Sequence, residues 1–236
     1  AIRAVATDAG VLLIIKNYTG DVMNFEMAAD MAADEDIVVE KVIVADDVAV
    51  ENSTWTTGRR GIAGTVFVHK IAGACAETGA ELSEVKRVAE KVIANVRSMG
   101  MSVSPCTVPA VGKPSFELAE DEVEIGIGIH GEPGTHREKI SSAAATVDTL
   151  VGKILDEGIY GEGDEVAVMV NGMGATPLSE LFIANLRVKE ILDEKKIRIA
   201  KTEVGNFMTS LDMAGFSVTL LKLDDELKGF LNAPAD

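Results

Sequence analysis

The sequence predicts an α/β fold of two α/β domains, each a sheet flanked by helices, and three observations predict it. Hydrophobic residues make up 47% of the chain but aromatics only 4%, so the core is built from Val, Ile, Leu and Ala, which suit buried strands covered by helices on both faces. The run from Val11 to Ile15 is continuously apolar, too short for a core helix and β-branched at its end; helix-spaced apolar positions and a second strand-like run follow, the pattern of a βαβ unit. The second half repeats the alternation, with a buried strand at 166–170 leading through a Gly-containing loop into a helix.

Taken in order, the first strand ends at Lys16-Asn-Tyr-Thr-Gly-Asp21, and Val22, Phe25, Ala29 and Ala32 space a helix over 22–34 before a strand at 37–44. Gly58-Arg-Arg-Gly61 opens an apolar helix reaching about 78. Ser83 then reads as the N-cap of a helix carrying Val85, Val88, Ala89, Val92 and Val96 on one face. The helical pattern stops at Gly100, and Pro105, Pro109 and Pro114 follow within ten residues, so the boundary is placed between a first domain, 1–100, and a second, 101–236. Over 122–129, Val123, Ile125, Ile127 and Ile129 alternate with Glu124, Gly126 and Gly128, a strand with one open face that delivers His130 at its end. A helix over 141–157 and the strand at 166–170 follow. Thr176 and Pro177 then read as N-cap and first residue of a helix to about 195, and strands at 197–204 and 216–223 complete the chain.

At 236 residues, the chain has enough apolar material for a substantial core. Its net charge of −16 and lack of a basic tract exclude a phosphate-binding footprint, so neither nucleic acid nor an anionic membrane is expected as a partner. No apolar run approaches the roughly 20 residues of a membrane span. Two separated cysteines, Cys75 and Cys106, read as unpaired thiols of a reducing compartment, so a cytoplasmic location is expected. The chain starts at Ala1 and its first six residues read as the last turns of a helix, so a piece of a longer chain is expected.

His130 is the leading site residue. Gly126 and Gly128 leave the strand surface before it without side chains, Gly131-Glu-Pro-Gly134 makes a tight turn after it, and a neutral imidazole is a competent nucleophile or base near pH 7. A histidine satisfied within its turn is the alternative. Asp21 follows Gly20 at a helix start, where capping is the commoner role of Asp and a general base for a substrate hydroxyl the functional one. Lys16, a charge ending an apolar strand, needs a ligand or carboxylate to reach. Gly58-Arg-Arg-Gly61 could cradle an anion, though a partner contact or a solvated loop is commoner. Asn171-Gly-Met-Gly-Ala-Thr-Pro177 lacks both the P-loop and the dinucleotide pattern, so no cofactor is expected on this chain. His69 and His136 read as structural, no metal-ligand cluster is present, and Glu132 reads as an exposed-loop residue that could orient the turn.

These segments, together with Asp46-Asp-Val-Ala-Val50, Thr107-Val-Pro109, Gly112-Lys-Pro114, Gly126-Ile-Gly-Ile-His-Gly-Glu-Pro-Gly134 and Thr209-Ser-Leu-Asp-Met-Ala-Gly-Phe216, resemble the dihydroxyacetone kinase K-subunit family over nearly the whole chain and in the same order. The resemblance implies a subunit that binds dihydroxyacetone covalently, the ring nitrogen of His130 attacking its carbonyl carbon to give a hemiaminal. It implies Asp21 as the base on a substrate hydroxyl and Lys16 as a lining residue. The family carries an upstream Gly-Gly-Gly-Ser-Gly-His-Glu-Pro loop that also contacts substrate and has no counterpart in this sequence. The resemblance further implies a homodimer and no nucleotide on this chain: ATP or ADP with magnesium sits on a partner L subunit, recharged by an M subunit from phosphoenolpyruvate in the phosphotransferase type. The rival expectation is a non-catalytic paralogue that senses dihydroxyacetone as a transcriptional co-activator. Retention of Asp21 beside His130 favours the kinase, because a sensor needs the anchor but no base.

Overall fold

The computed structural model describes residues 1–51 and 57–235. Its elements, in chain order, are α1 (Ile2–Val5), β1 (Val11–Lys16), α2 (Thr19–Ala33), β2 (Val39–Val44), α3 (Thr65–Glu77), α4 (Leu82–Asn95), β3 (Val96–Ser102), β4 (Glu122–Ile125), β5 (His136–Lys139), α5 (Ala143–Leu155), β6 (Glu165–Gly172), α6 (Leu178–Glu194), β7 (Arg198–Gly205), β8 (Gly215–Leu223) and α7 (Asp225–Asn232). The α/β class stands: β1 and β2 form a parallel pair, and the other six strands form a mixed sheet in the order β5-β4-β3-β8-β6-β7.

Side-chain alternation on β6 explains how one short strand organises two cores. Val166, Val168 and Val170 face α5 and α6, packing with Val147, Leu150, Ile154, Leu181 and Val188, while Ala167 and Met169 face α3, α4 and α7 and pack with Phe67, Ile71, Val88, Val92 and Leu227. The opposite face of α3 and α4 carries the small sheet through Val42 and Val44. Val11, Leu13 and Ile15 point away from it, toward Val22 and Ala29 of α2. β1 is therefore covered on both sides, which is why its sequence is continuously apolar rather than alternating. Each fully buried Ile or Leu in these layers contributes about 1.5–3 kcal/mol of transfer free energy.

Several expected boundaries move. The division between 1–100 and 101–236 falls inside β3, which pairs antiparallel with β8 from Val96↔Leu221 to Ser102↔Gly215. The strand expected over 122–129 stops at Ile125, because Gly126 takes φ +79° and turns the chain out of the sheet. Ile127 and Ile129 consequently enter two different clusters, with Cys106, Met173 and Met213 and with Tyr18 and Ile62. The helix expected from 58 begins at Thr65; Gly61 lies so close to Val44 and Lys16 that a Cβ there would overlap the Val44 carbonyl oxygen. Ser83 lies inside α4, after an uncapped start at Glu81. Thr176 does not cap α6 either: its hydroxyl donates to the Gly215 carbonyl and accepts the Gly215 N–H, both at 2.8 Å. Ser142 caps α5 by accepting from the Ala145 N–H at 3.2 Å. No helix among the described residues is long and apolar enough to cross a membrane.

Candidate active site

The site is assembled from two turns. The first follows β1, where the Asn17 N–H bonds the Val44 carbonyl at 2.9 Å and the chain bends into α2 at Tyr18. Asp21 lies in the first turn of α2, in the stabilising field of the helix N-terminus; the residue at the cap position is Tyr18, and no side chain caps it. Lys16, half-buried, closes β1.

The second turn carries His130 between Gly126 and Gly134. The Gly128 N–H bonds the Glu132 carbonyl at 3.0 Å and the Gly131 N–H the Gly128 carbonyl at 3.1 Å. Inside this turn the Glu132 carboxylate accepts the His130 backbone N–H at 3.0 Å and meets ring Nδ1 at 2.6 Å. The Glu132 side chain is only 12% exposed against 56% for His130, so it is a buried brace and not the exposed-loop residue the sequence indicated. Burial pushes its carboxyl upward, but the hydrogen bonds from His130 outweigh this and hold it below the usual carboxylate range. An ionised carboxylate on Nδ1 requires the proton there, leaving the Nε2 lone pair available. The same hydrogen bond raises the His130 pKa; the Glu132 and Asp21 charges add to the rise, burial and Lys16 oppose it. Asp21 and Lys16 thus lie within electrostatic reach of the imidazole.

Arg60 clamps the second turn. It is wholly buried, Nε donates to Asp47 Oδ2 at 2.7 Å, Nη2 donates to the Gly126 carbonyl at 2.6 Å, and Nη1 donates to the Pro133 carbonyl at 3.1 Å, so one guanidinium holds both ends of the His130 turn. Asn17 anchors the same loop from the other side, donating to the carbonyls of Thr57 and Arg59 at 3.0 and 2.7 Å. Arg59 forms a paired contact with Glu157 at 2.5 and 2.9 Å. The Gly58-Arg-Arg-Gly61 segment is therefore a brace rather than an anion cradle. Beneath it Asp46 accepts the N–H groups of Ile62 and Gly64, both at 2.7 Å, and burial raises its pKa against them.

The remaining candidates fall elsewhere. In the loop over 171–177, the Asn171 side chain accepts from the N–H of Phe207 and Met208, and the N–H groups of Met173 and Ala175 bond Gly215 and Met213. These donors are spent on the fold and make no phosphate cradle. His136 sits on β5 against Thr135 and Glu138. His69, on α3, has its pKa lowered first by burial and then by Lys16, which puts it near the first turn. Cys75 and Cys106 are buried free thiols. The sequence did not single out Arg60's bonds or Tyr18, and it offered the orienting role of Glu132 only beside the exposed-loop reading. A paired arginine between glycines was the visible signal for the first.

The fold and site define a mixed α/β protein with a carboxylate-braced histidine set beside a Lys/Asp turn. The chain belongs to the Dak1 domain family, which matches residues 1–236. It is 59% identical over 225 residues to the dihydroxyacetone-binding subunit of PTS-dependent dihydroxyacetone kinase 1 of Listeria innocua serovar 6a, covering 95% of this chain and 68% of that one. Among solved structures it is similar to a dihydroxyacetone kinase operon co-activator, with TM-score 0.91, 36% identity, and 99% of this chain and 72% of that one covered. It is also similar to the dihydroxyacetone kinase of C. freundii, with TM-score 0.89, 36% identity, and 99% and 42% covered.

Proposed function

We propose that this chain is the dihydroxyacetone-binding subunit of a phosphotransferase-dependent dihydroxyacetone kinase, and that it holds its substrate as a hemiaminal on His130. The observation that supports this reading is the Glu132–Nδ1 contact, which leaves Nε2 as the free nitrogen of a ring that feels the charges of Asp21 and Lys16. Nε2 forms a bond to the carbonyl carbon while the C=O π pair moves to oxygen, which takes up a proton from solvent, and the ring gives up its Nδ1 proton to Glu132, leaving a neutral hemiaminal. A covalent anchor fixes a small ketone that offers few groups to bind and selects it over glycerol, which has no carbonyl. Asp21 accepts the proton of the terminal hydroxyl as that oxygen bonds to the γ-phosphorus of ATP, the bond from that phosphorus to the bridging oxygen breaks and ADP leaves, and Lys16 lines the substrate. ATP or ADP with magnesium is supplied on a partner L subunit docked over His130 and Asp21, recharged through an M subunit, and the chain works as a homodimer in the cytoplasm.

Native mass spectrometry of the intact protein with dihydroxyacetone tests the anchor: wild type gains the mass of one substrate, and His130→Ala does not. A wild type without adduct overturns the covalent mechanism. The second reading, a dihydroxyacetone sensor, has the co-activator likeness in its favour. Turnover with an L subunit and a phosphoryl donor decides for the kinase.

A further inference from the structure

The segment 57–62 lies between the two turns of the site and holds on to both. On the side of the first turn, the Asn17 amide nitrogen donates to the carbonyls of Thr57 and Arg59 at 3.0 and 2.7 Å. Gly61 sits so close to the same turn that a Cβ on it would come within 2.8 Å of the Lys16 Cα and 2.9 Å of the Asn17 backbone nitrogen. On the side of the second turn, Arg60 donates to the carbonyls of Gly126 and Pro133 at 2.6 and 3.1 Å, and Ile62 packs between Tyr18 of the first turn and Ile129 of the second. The two grips differ in kind. The second turn is held by charge-assisted bonds from a guanidinium that is itself paired with Asp47, and the segment is pinned from outside by the two-pronged Arg59–Glu157 pair. The first turn is held by the –NH2 of one half-buried amide, whose two N–H donors serve two carbonyls at once.

We propose that Asn17 is a positioning residue: by tying the first turn to the segment 57–62, it sets Asp21 against the substrate held on the second turn. This rests on the reading of His130 as the anchor and Asp21 as the base. Capture of the ketone needs the imidazole, its Glu132 brace and the Arg60 clamp, all of which stay in place without Asn17. Transfer needs more, because a general base works only within hydrogen-bond reach of the hydroxyl it deprotonates, and a shift of about 1 Å between base and substrate can cost as much as 100-fold. Asp21 follows Asn17 by four residues, in the first turn of α2, so releasing the Asn17 amide frees the base side of the site and leaves the anchor side clamped.

The test measures two quantities on the same preparations of the intact protein: adduct formation by native mass spectrometry over a range of dihydroxyacetone concentrations, and turnover reconstituted with L subunit and phosphoryl donor. Wild type, Asn17→Ala, Asp21→Asn and the double variant are compared. In Asn17→Ala the concentration giving half-maximal adduct stays within about twofold of wild type, while kcat falls about tenfold. In the Asp21→Asn background, where no base is left to place, Asn17→Ala lowers the residual kcat by less than about twofold. A loosened fold would instead lower adduct and kcat together, and as much without the base as with it. Wild-type kcat in Asn17→Ala, parallel loss of adduct and kcat, or an equal fall in both backgrounds overturns the role. Asn17→Asp has the same shape but turns a carboxylate toward the two carbonyls; it must show the same split, and it decides should Asn17→Ala fail to fold. Failure of both to fold makes these bonds part of the fold and overturns the proposal too. A wild type without adduct refutes the anchor, and an Asp21→Asn with wild-type turnover refutes the base; both are read without any Asn17 variant, and in either case the proposal falls with the reading beneath it.

Discussion

Glu132 takes two hydrogen bonds from one residue, His130, through its ring Nδ1 at 2.6 Å and its backbone N–H at 3.0 Å. The side chain that fixes the tautomer thus also fixes the turn on which the imidazole is mounted.

The pH dependence of substrate capture follows from this pair. Glu132 raises the His130 pKa, so the neutral nucleophile is lost as pH falls through that raised value, earlier than for an ordinary histidine near 6.5. Folding responds with the opposite sign. A histidine whose folded pKa exceeds its unfolded one adds stability that is fully present below the unfolded value and fades as pH rises through the folded one. Glu132→Gln is expected to lower the His130 midpoint, to extend adduct formation to lower pH, and to reduce its maximum because the tautomer is no longer enforced. Native mass spectrometry across pH 5–8 reads all three.

Arg60 answers to a different mechanism. Its guanidinium and the Asp47 carboxylate are both fully buried and in contact at 2.6 Å, and removing one partner strands the other charge and two backbone carbonyls. Arg60→Met is expected to cost about 3–5 kcal/mol, measured by urea denaturation. Arg60→Lys keeps the charge but cannot reach Asp47, Gly126 and Pro133 together, so it recovers only part of the loss.

Gly128 supports the same brace from the other side. A Cβ at this position would overlap the Glu132 carboxylate and approach Arg60 Nη1 at 3.1 Å. Gly128→Ala is expected to displace Glu132 and bring the His130 midpoint down, as Glu132→Gln does, with a stability loss of about 1–3 kcal/mol. A midpoint equal to wild type by NMR would mean that the turn yields instead of the carboxylate.

The legible parts of this molecule were those written in local pattern. The β1–α2–β2 unit, the β6 strand and the helices on either side of it follow from apolar spacing, and His130, Asp21 and Lys16 were each marked by an unusual neighbour: glycines, a helix start, an apolar strand. The strand end at Gly126 was missed because Ile127 and Ile129 keep the period of two while entering separate clusters, so alternation outlived the sheet. The braces were missed for another reason. Arg60 reaches partners 66 and 73 positions along the chain, and Tyr18 meets His130 only because two turns from different sheets converge.

Asp21 separates binding from transfer. Among the described residues it makes no hydrogen bond to the His130 turn, so replacing it is expected to leave the anchor in place while removing the proposed base. Asp21→Asn is expected to form the dihydroxyacetone adduct as wild type does and to lose turnover by at least about 100-fold in an assay reconstituted with L subunit and donor, the span attributed to general-base groups. The two readouts must be taken on one preparation. Intact turnover in Asp21→Asn would remove the base from the mechanism, and joint loss of adduct and turnover would make Asp21 a binding residue instead.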